Sequence, residues 1–283
     1  MRALVVGASG AVGRFLLPRL LDAGHDVVAL SRGERAGRHA RLRWIVGDLD
    51  RDVPLPQPVE AIFSLGPLDA FARWFARTAP EGRPHLVALG SMSIDSKRDS
   101  IDAAERAVVE RLRAAELELA DAATRRGCAW TVLRPTLIYG AGIDRSLTPI
   151  ARFARRWRVF PRLPGARGLR QPVHADDLAA ACIAVLERPV SAGKTYALGG
   201  GERLGFDAML ERVRASLPVR CLPLPLPIAA ARTLARLGLV PAAAVERLTR
   251  DLVAADDDAR TDFGWSPRGF VVDANTWRAG GEA

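Results

Sequence analysis

Three glycines near the start of the chain are spaced so that backbone could approach an anionic ligand. Gly7, Gly10 and Gly13 follow the apolar run 4–6, and an apolar stretch with helical spacing, residues 12–21, comes after them. In such a pattern the first glycine permits a tight turn, the second leaves room for a pyrophosphate, and the third lets the helix pack close to the strand. The first amides of the helix then point at the phosphates. We therefore predict a dinucleotide site, with an ordinary glycine-rich turn as the alternative. The predicted contacts are Gly7, Ser9, Gly10, Ala11, Val12 and Gly13.

The end of the second predicted strand indicates which dinucleotide binds. An acidic residue at this position binds the ribose 2′-hydroxyl of NAD, whereas a nearby arginine accepts the 2′-phosphate of NADP. The chain reads Leu30-Ser31-Arg32-Gly33 there. Ser31 can form a hydrogen bond and Arg32 can pair with a phosphate, with Arg35 as a second candidate. NADP is therefore favoured over NAD, and a solvated loop arginine is the alternative for Arg32.

Short apolar runs alternate with amphipathic stretches in the first half of the chain. Strands are predicted at residues 26–30, 42–46, 59–65, 85–89 and 129–133. The stretches 71–78 and 101–126 have the length and the leucine and valine spacing of helices. This alternation predicts an α/β fold with a doubly wound parallel sheet.

The pattern loosens after Pro135. Loops rich in proline and glycine at 161–168 precede a predicted helix at about 175–186, a strand at 195–198 and further helices. We predict a Rossmann domain over residues 1–170, to which residues 171–200 return. A smaller, mainly helical substrate-binding subdomain is predicted over residues 201–283.

Composition limits the class of protein. The 283 residues are 49% hydrophobic, which is enough for a substantial core. The cysteines at 128, 182 and 221 lack paired spacing, which argues against disulfides and a metal site and fits a reducing compartment. Because the chain enters its first strand at once, we expect no signal peptide and a cytoplasmic location. The apolar stretch 222–241 is interrupted by prolines and two arginines, so we expect no membrane partner.

The formal net charge of +9 raises the question of a nucleic-acid partner. Of the 41 basic residues, only Lys97 and Lys194 are lysines, and the arginines are dispersed along the sequence. We therefore expect no nucleic-acid binding.

Several short motifs follow one another in a specific order. They are Gly7 to Gly13, Gly47-Asp48-Leu49-Asp50, Ser64-Leu65-Gly66-Pro67, Gly90-Ser91-Met92-Ser93, Leu133-Arg134-Pro135 with Tyr139-Gly140, residues 170–178, and Phe263-Gly264-Trp265-Ser266-Pro267. Over nearly its whole length, the chain resembles the short-chain dehydrogenase/reductase superfamily, in its extended branch of epimerases and dehydratases or its atypical relatives.

This resemblance implies roles for residues beyond the glycine loop. Asp48 would cap the adenine amino group and Leu49 would line its pocket; a loop-capping aspartate is the alternative for Asp48. The strand-end pair Leu65 and Gly66 would pass beneath the ribose and diphosphate. The residues Pro135 and Thr136 would lie at the nicotinamide, where backbone amides can meet the carboxamide. Arg170 matches the family arginine that reaches the nucleotide of a nucleotide-sugar substrate, or is a surface arginine.

The family's chemistry depends on a tyrosine and a lysine one helical turn apart, which this chain lacks. The lysine lowers the tyrosine pKa, and the phenolate exchanges a proton with the substrate. Counting back from Arg134, with Gly127 and Glu116 at the family's usual glycine and glutamate, places Val108 at the tyrosine position and Leu112 at the lysine position. We therefore expect an apolar wall where the proton relay would be.

Ser91 remains at the family's serine position and is the predicted catalytic residue, with loop capping as the alternative. Three other groups could act as acid or base: Glu105, Tyr139 and His174. Their alternatives are a solvated helix residue, a packing residue and a satisfied polar residue at a helix start.

Two functions follow from these observations. The first is an atypical NADP(H)-dependent oxidoreductase or epimerase-like enzyme acting on a small carbonyl, hydroxyl or nucleotide-sugar-like substrate, with hydride transfer supplied by the cofactor. The second is a catalytically silent NADP(H)-binding sensor or scaffold. We favour the enzyme narrowly. A homodimer through the helices at 71–78 and 101–126 is a further expectation, although core packing explains their apolar faces equally well.

Overall fold

The computed structural model describes residues 1–37, 39–51, 53, 58–78, 80–240 and 242–278. The last five residues of the predicted subdomain, 279–283, therefore lie outside the described residues. Among the described residues, no helix is both long and apolar enough to cross a membrane.

The first half of the chain alternates strands and helices. The elements are β1 (Arg2–Val6), α1 (Gly13–Asp22), β2 (Asp26–Ser31), β3 (Leu42–Val46), β4 (Ala61–Ser64), α2 (Leu68–Arg77), β5 (His85–Leu89), α3 (Ser93–Ser96), α4 (Ala103–Arg125) and β6 (Trp130–Pro135).

The second half has shorter strands. They and their helices are β7 (Ile138–Tyr139), α5 (Thr148–Trp157), β8 (Val159–Arg162), β9 (Leu169–Arg170), β10 (Val173–His174), α6 (Ala175–Ala184), β11 (Lys194–Leu198), β12 (Leu204–Gly205), α7 (Phe206–Ala215), β13 (Leu222–Pro225), α8 (Ile228–Arg236), α9 (Ala242–Arg247) and α10 (Asp257–Phe263).

Seven parallel strands form the central sheet in the order β11-β6-β5-β4-β1-β2-β3. The chain runs outward from β1 to β3, then crosses to β4 and runs outward in the other direction. This reversal between β1 and β4 is the switch point at which doubly wound folds bind ligands. The predicted α/β fold and parallel sheet are confirmed.

Alternate residues of the inner strands serve the two faces of this sheet. Ala3, Val5 and Phe63 pack with α1 and α6 on one face, whereas Leu4 and Ile62 pack with α2 and α4 on the other. Burial on both faces explains why these strands read as continuous apolar runs in the sequence. The two layers hold the strand ends in fixed positions.

A third core lies outside the sheet layers. It joins buried side chains of α5 and α7 to Tyr139, Phe270 and Trp277. Three two-stranded ladders, β7 with β10, β8 with β13 and β9 with β12, connect the segments of this region. The strand β11 returns to the sheet beside β6. The division into domains 1–170 and 201–283 stays a prediction.

Candidate functional site

The carboxyl ends of four neighbouring strands bring the predicted site residues to one edge. Val6 is in register with Ser64, Ser64 with Ala88, and Leu89 with Leu133. The residues that follow these positions are the glycine loop, Leu65 with Gly66, Gly90 with Ser91, and Pro135 with Thr136. These segments, distant in sequence, therefore share the edge where ligands bind in such sheets.

The glycine loop lies so close to neighbouring backbone that side chains would not fit at two of its glycines. Gly7 has a φ of +75°, a conformation that suits glycine. A Cβ at Gly7 would lie 3.0 Å from the amide nitrogen of Gly66, and one at Gly13 would lie 2.7 Å from the Cα of Ala8. Gly13 thus allows α1 to pack closely on the turn that follows β1, as its position in the motif predicts.

The beginning of α1 offers hydrogen-bond donors to an anion. Its first turn contains no acidic residue, and its N-cap residue Val12 makes no side-chain cap. Within the described residues, the backbone amides of Ala11, Val12 and Gly13 donate to no backbone carbonyl. Free amides at a helix start, together with the positive end of the helix dipole, suit a phosphate group. The residues present therefore fit the diphosphate of a dinucleotide.

Ser31 and Arg35 form a small cluster at the end of β2. Ser31 is 8% exposed, and its Oγ accepts hydrogen bonds from the Gly33 amide and from Arg35 Nε, both at 3.4 Å. The Arg35 guanidinium lies 5.6 Å from the centre of the Trp44 ring, whereas Arg32 is exposed. Cation–π contact with Trp44 holds Arg35 beside the strand end.

A cavity of about 370 Å³ borders this cluster. It is lined by Glu34, Arg35, Ala36, Trp44 and Val46. Our sequence analysis missed Trp44 and Glu34 because Trp44 read only as part of a strand and Glu34 follows the strand end by three residues. The Glu34 carboxylate would repel a 2′-phosphate placed beside it. The cavity is therefore lined by one negative side chain, Glu34, and one positive side chain, Arg35.

Asp48 and Leu49 lie in the loop after β3. Asp48 Oδ1 accepts a hydrogen bond from the Asp50 amide at 3.1 Å, and its carbonyl accepts one from the Arg51 amide at 2.9 Å. These bonds match the alternative in which Asp48 caps the loop. Leu49 is 6% exposed and packs in the core on the α2 and α4 face. Contact of either residue with adenine stays a prediction.

The backbone at Pro135 and Thr136 is already hydrogen-bonded. The Thr136 amide donates to the Leu198 carbonyl at 2.9 Å, and the Thr136 hydroxyl donates to the Gln171 carbonyl. The Pro135 carbonyl accepts from the Met92 amide at 3.1 Å, and proline has no amide hydrogen of its own. A Thr136 amide contact to a nicotinamide carboxamide would therefore require the bond to Leu198 to break.

The helix α4 carries aliphatic side chains at 108 and 112, the positions that the resemblance assigns to the tyrosine and the lysine. Val108 and Leu112 are both half-buried and share one face of the helix. One turn further, Glu116 pairs with Arg134, whose Nε donates to Glu116 Oε1 at 2.9 Å. Gly127 ends this segment with a φ of +63°. The tyrosine and lysine positions thus carry no group that could transfer a proton.

Ser91 caps the loop that follows β5. Its Oγ accepts a hydrogen bond from the Ser93 amide at 3.1 Å, and the residue is half-buried. The loop-capping alternative therefore describes its contacts in this structure. Its hydroxyl hydrogen stays available to a substrate oxygen, so the catalytic role of Ser91 stays a prediction.

Glu105 is bound in an ion-pair cluster rather than solvated. Its carboxylate accepts from Ser100 Oγ at 2.8 Å, lies 3.4 Å from Lys97 Nζ and pairs with Arg247. Its side chain is 12% exposed. Our sequence analysis missed this cluster because Arg247 follows 142 residues later. Both carboxylate oxygens of Glu105 are therefore engaged within the fold.

Tyr139 and His174 are both engaged within the fold. The Tyr139 hydroxyl donates to the Gly269 carbonyl at 3.2 Å, and burial raises the pKa of Tyr139 to about 12. His174 Nδ1 accepts from the Asp176 amide at 3.1 Å and so caps α6. Burial, reinforced by Arg268, lowers the pKa of His174. The two rings meet edge to face at 5.1 Å. Their contacts match the packing and helix-start alternatives.

Arg170 is buried, so the surface-arginine alternative is wrong. It is 5% exposed, and its Nη1 donates to the carbonyls of Leu169 and Arg250, each at 2.8 Å. Its Nη2 donates to the Arg247 carbonyl, and its guanidinium lies 4.8 Å from the Phe206 ring centre. These bonds attach the segment before residue 251 to β9. Contact between Arg170 and a substrate stays a prediction.

A parallel sheet with a glycine loop at its switch point and a helix start that fits a diphosphate defines an NAD(P)-binding Rossmann protein. The sequence profile of the NAD(P)H-binding family matches residues 7–189. The chain belongs to this family.

Relatives and solved structures agree with this assignment. The chain is 27% identical over 256 residues to NADH dehydrogenase [ubiquinone] 1 alpha subcomplex subunit 9, mitochondrial, of Arabidopsis thaliana. That match covers 81% of this chain and 61% of the relative, so the chain spans about three fifths of the relative's length. It is also 27% identical to a 3-diazoavenalumate denitrifying reductase of a Streptomyces species, over 94% of this chain and 96% of the relative.

Among solved structures, the UDP-glucuronic acid 4-epimerase of Bacillus cereus in complex with UDP-glucuronic acid and NAD superposes with a TM-score of 0.72. The match covers 99% of this chain and 97% of the epimerase at 13% identity, which shows a shared fold alone. The predicted resemblance is therefore confirmed as an NAD(P)-binding domain whose fold is shared with epimerases.

Proposed function

We propose that this protein binds NADP(H) and serves as a sensor or as a subunit of a larger assembly. In this role it does not turn over a substrate with the tyrosine and lysine that the family uses to transfer protons. One observation carries the proposal: the helix face that supplies tyrosine and lysine in the family carries Val108 and Leu112 here. The contacts of the alternative acids and bases support it, since Glu105 is paired with cations and His174 caps a helix. Nothing at these positions is poised to exchange a proton with a substrate.

The chain's own residues account for cofactor binding. The glycine loop accepts the diphosphate because Gly7, Gly10 and Gly13 keep side chains out, and the amides at the start of α1 donate to it. At the adenosine end, Ser31 and Arg32 would receive the 2′-phosphate of NADP, with Arg35 beside them. When bound, NADP(H) supplies a hydride at its nicotinamide.

The name of one relative supports a holding role. The Arabidopsis relative is, by name, a subunit of NADH dehydrogenase. A nucleotide-binding protein that serves as a subunit needs the residues that bind the cofactor, but it does not need the residues that transfer protons. A cytoplasmic location, a homodimer and the absence of nucleic-acid partners remain expectations that belong to this proposal.

The second candidate is an NADPH-dependent reductase of a small carbonyl, hydroxyl or nucleotide-sugar-like substrate. Ser91 favours it, because this residue follows the end of β5, its neighbour Met92 bonds to Pro135, and its hydroxyl could orient a substrate oxygen. The match to a reductase over almost the full length of both chains also favours it. In that case the proton would come from water, since the tyrosine position is aliphatic.

Cofactor preference is tested by titrating the protein with NADPH and NADH and following the nicotinamide fluorescence. We expect NADPH to bind about tenfold or more tightly, because a charge-assisted phosphate contact contributes about 1.5 kcal/mol or more. Arg32→Ala should remove most of this difference and leave NADH binding unchanged. Arg43→Ala, an exposed arginine on β3, is the matched control. Equal affinities in the wild type would exclude the NADP assignment.

The two functions are separated by turnover. Purified protein and NADPH are incubated with panels of ketones, aldehydes, quinones and nucleotide sugars, and the absorbance of NADPH is followed. The holding role predicts tight binding with no substrate-dependent oxidation. Oxidation of NADPH that a substrate accelerates, and that Ser91→Ala abolishes without weakening NADPH binding, would instead establish the reductase.

A further inference from the structure

Positive charge is concentrated in two segments that the fold brings together. Residues 145–174 contain eight arginines and no aspartate or glutamate, and residues 212–245 contain five arginines and again no acidic residue. Because the formal net charge of the whole chain is +9, the remainder of the chain is net negative. The strands β8 and β13 pair in parallel and join the two segments, with Val159 opposite Leu222.

Large apolar side chains are exposed where the two segments meet. Phe153 is 50% exposed and Trp157 is 61% exposed, one turn apart on α5. On β13, Leu222 is 70% exposed and Leu224 is 59% exposed, on the same side of the strand. The Leu222 amide donates to the Arg158 carbonyl at 2.7 Å, which places Leu222 next to the residue that follows Trp157.

The core does not require these side chains. The helix α5 buries its small residues Thr148, Ala151 and Ala154, whereas Phe153 and Trp157 face outward. In most helices the large apolar residues are buried and the small ones are exposed, but here alanine is buried while phenylalanine and tryptophan are in water. A second surface that covers the exposed side would account for it.

The arginines around these apolar groups are not neutralised. Arg155, Arg156, Arg158 and Arg220 are exposed and form no ion pair with any residue that the structure describes. The Arg156 guanidinium lies 5.1 Å from the Trp157 ring centre. We name as the basic apolar surface the residues Phe153, Trp157, Leu222, Leu224, Arg155, Arg156, Arg158 and Arg220.

We propose that the basic apolar surface binds the headgroup region of an anionic lipid membrane, with the protein lying on the bilayer and not spanning it. This proposal replaces the expectation of no membrane partner, which rested only on residues 222–241 being unable to span a bilayer. Arginines pair with lipid phosphates, and tryptophan, phenylalanine and leucine side chains insert at the boundary of headgroups and acyl chains. A nucleic acid would use the arginines but offers no apolar layer to two leucines. The exposed aliphatic side chains therefore favour lipid as the occupant.

Flotation with lipid vesicles tests this proposal directly. The full-length protein is mixed with vesicles of phosphatidylcholine alone or of equimolar phosphatidylcholine and phosphatidylglycerol. We expect binding to the anionic vesicles only, weakened by added salt. The double variants Arg155→Glu/Arg156→Glu and Trp157→Ser/Leu222→Ser should each lower the apparent partition coefficient about tenfold or more.

Matched controls lie on α4 or two residues before it, outside the basic apolar surface. Arg113→Glu/Arg125→Glu reverses two exposed arginines, and Ile101→Ser/Leu117→Ser removes two apolar side chains that are 63% and 71% exposed. These controls should bind vesicles like the wild type. Thermal unfolding and NADPH titration of every variant confirm that the fold is intact.

Three results would overturn the proposal. They are equal binding to neutral and anionic vesicles, equal losses in the surface and control variants, and unchanged vesicle binding by Trp157→Ser/Leu222→Ser. Fluorescence anisotropy with duplex DNA adds an independent result. Tight DNA binding that depends on Arg155 and Arg156 but not on Trp157, together with no vesicle binding, would assign the surface to nucleic acid instead.

Discussion

At the scale of single residues, the pair of Glu116 and Arg134 joins α4 to β6 directly behind the candidate site. The Glu116 side chain is 10% exposed, and Arg134 bonds to both of its carboxylate oxygens. A Cβ on Gly90 would lie 2.9 Å from Glu116 Oε1, so the loop that leads to Ser91 packs against this carboxylate. The pair therefore fixes the position of the loop after β5.

Removing one partner of this pair should be costly. We expect Arg134→Met to lower the free energy of unfolding by about 3 kcal/mol, because it leaves a nearly buried carboxylate without its partner. Adding Glu116→Gln to that variant should restore part of the loss, since the remaining group is neutral. Denaturant unfolding measures both.

The exposed pair of Arg125 and Asp121 on the same helix is the control. Its side chains are 64% and 75% exposed, so Arg125→Met should change the free energy of unfolding by less than about 1 kcal/mol. Similar losses in Arg134→Met and Arg125→Met would show that the buried pair contributes no more than a surface pair.

At the scale of elements, the contact between α1 and the turn after β1 determines whether the glycine loop can form. We expect Gly13→Ala to lower the free energy of unfolding by about 1–3 kcal/mol and to weaken NADPH binding, because the new Cβ would lie 2.7 Å from the Cα of Ala8. Gly33→Ala is the matched control, since a Cβ there would meet no atom within 4 Å. If both variants unfold alike, close packing of α1 is not what requires a glycine at position 13.

Some of these helices and strands could be predicted from the sequence, and others could not. The strands β3 and β5 have the predicted bounds, and α4 lies within two residues of its predicted ends. These elements have long periodic patterns or are bounded by turns. The ladder of β8 with β13 was not predicted, because strands of two to four residues carry no period and their partners lie far along the chain.

For side chains too, features set by local sequence could be predicted, whereas contacts between distant residues could not. The glycine loop was predictable because its function depends on local spacing. The surroundings of Glu105 and Arg170 depend on Arg247 and Arg250, which reach them from 77 to 142 residues away. No local pattern marks such partners. The two arginine-rich segments are visible in the sequence, but the pairing of β8 with β13 that joins them is not.

At the scale of the whole molecule, half-buried histidines should make stability depend on pH. Burial lowers the pKa of His85, and burial with Arg268 lowers that of His174, from an ordinary value of 6.5. Below about pH 6.5 the unfolded chain therefore binds more protons than the folded protein. Stability from these groups is present above the unfolded pKa and is lost as the pH falls toward the folded values.

We therefore expect the thermal unfolding midpoint to fall between about pH 7.5 and pH 5.5, with each histidine contributing at most about 1.4 kcal/mol per pH unit. His174→Asn should flatten this dependence, because asparagine can still cap α6 but does not titrate in this range. His85→Gln should flatten it too, since glutamine can replace the 3.0 Å bond between His85 Nε2 and Thr131 Oγ1.

The slope of the midpoint against pH is the decisive quantity, because either substitution also removes ring packing and lowers the midpoint at every pH. His174 contacts the rings of Phe15 and Tyr139, at 5.4 and 5.1 Å between centres, so its variant should be the less stable of the two even at pH 7.5. A steep fall that persists in the double variant would trace the pH dependence to groups other than these two histidines.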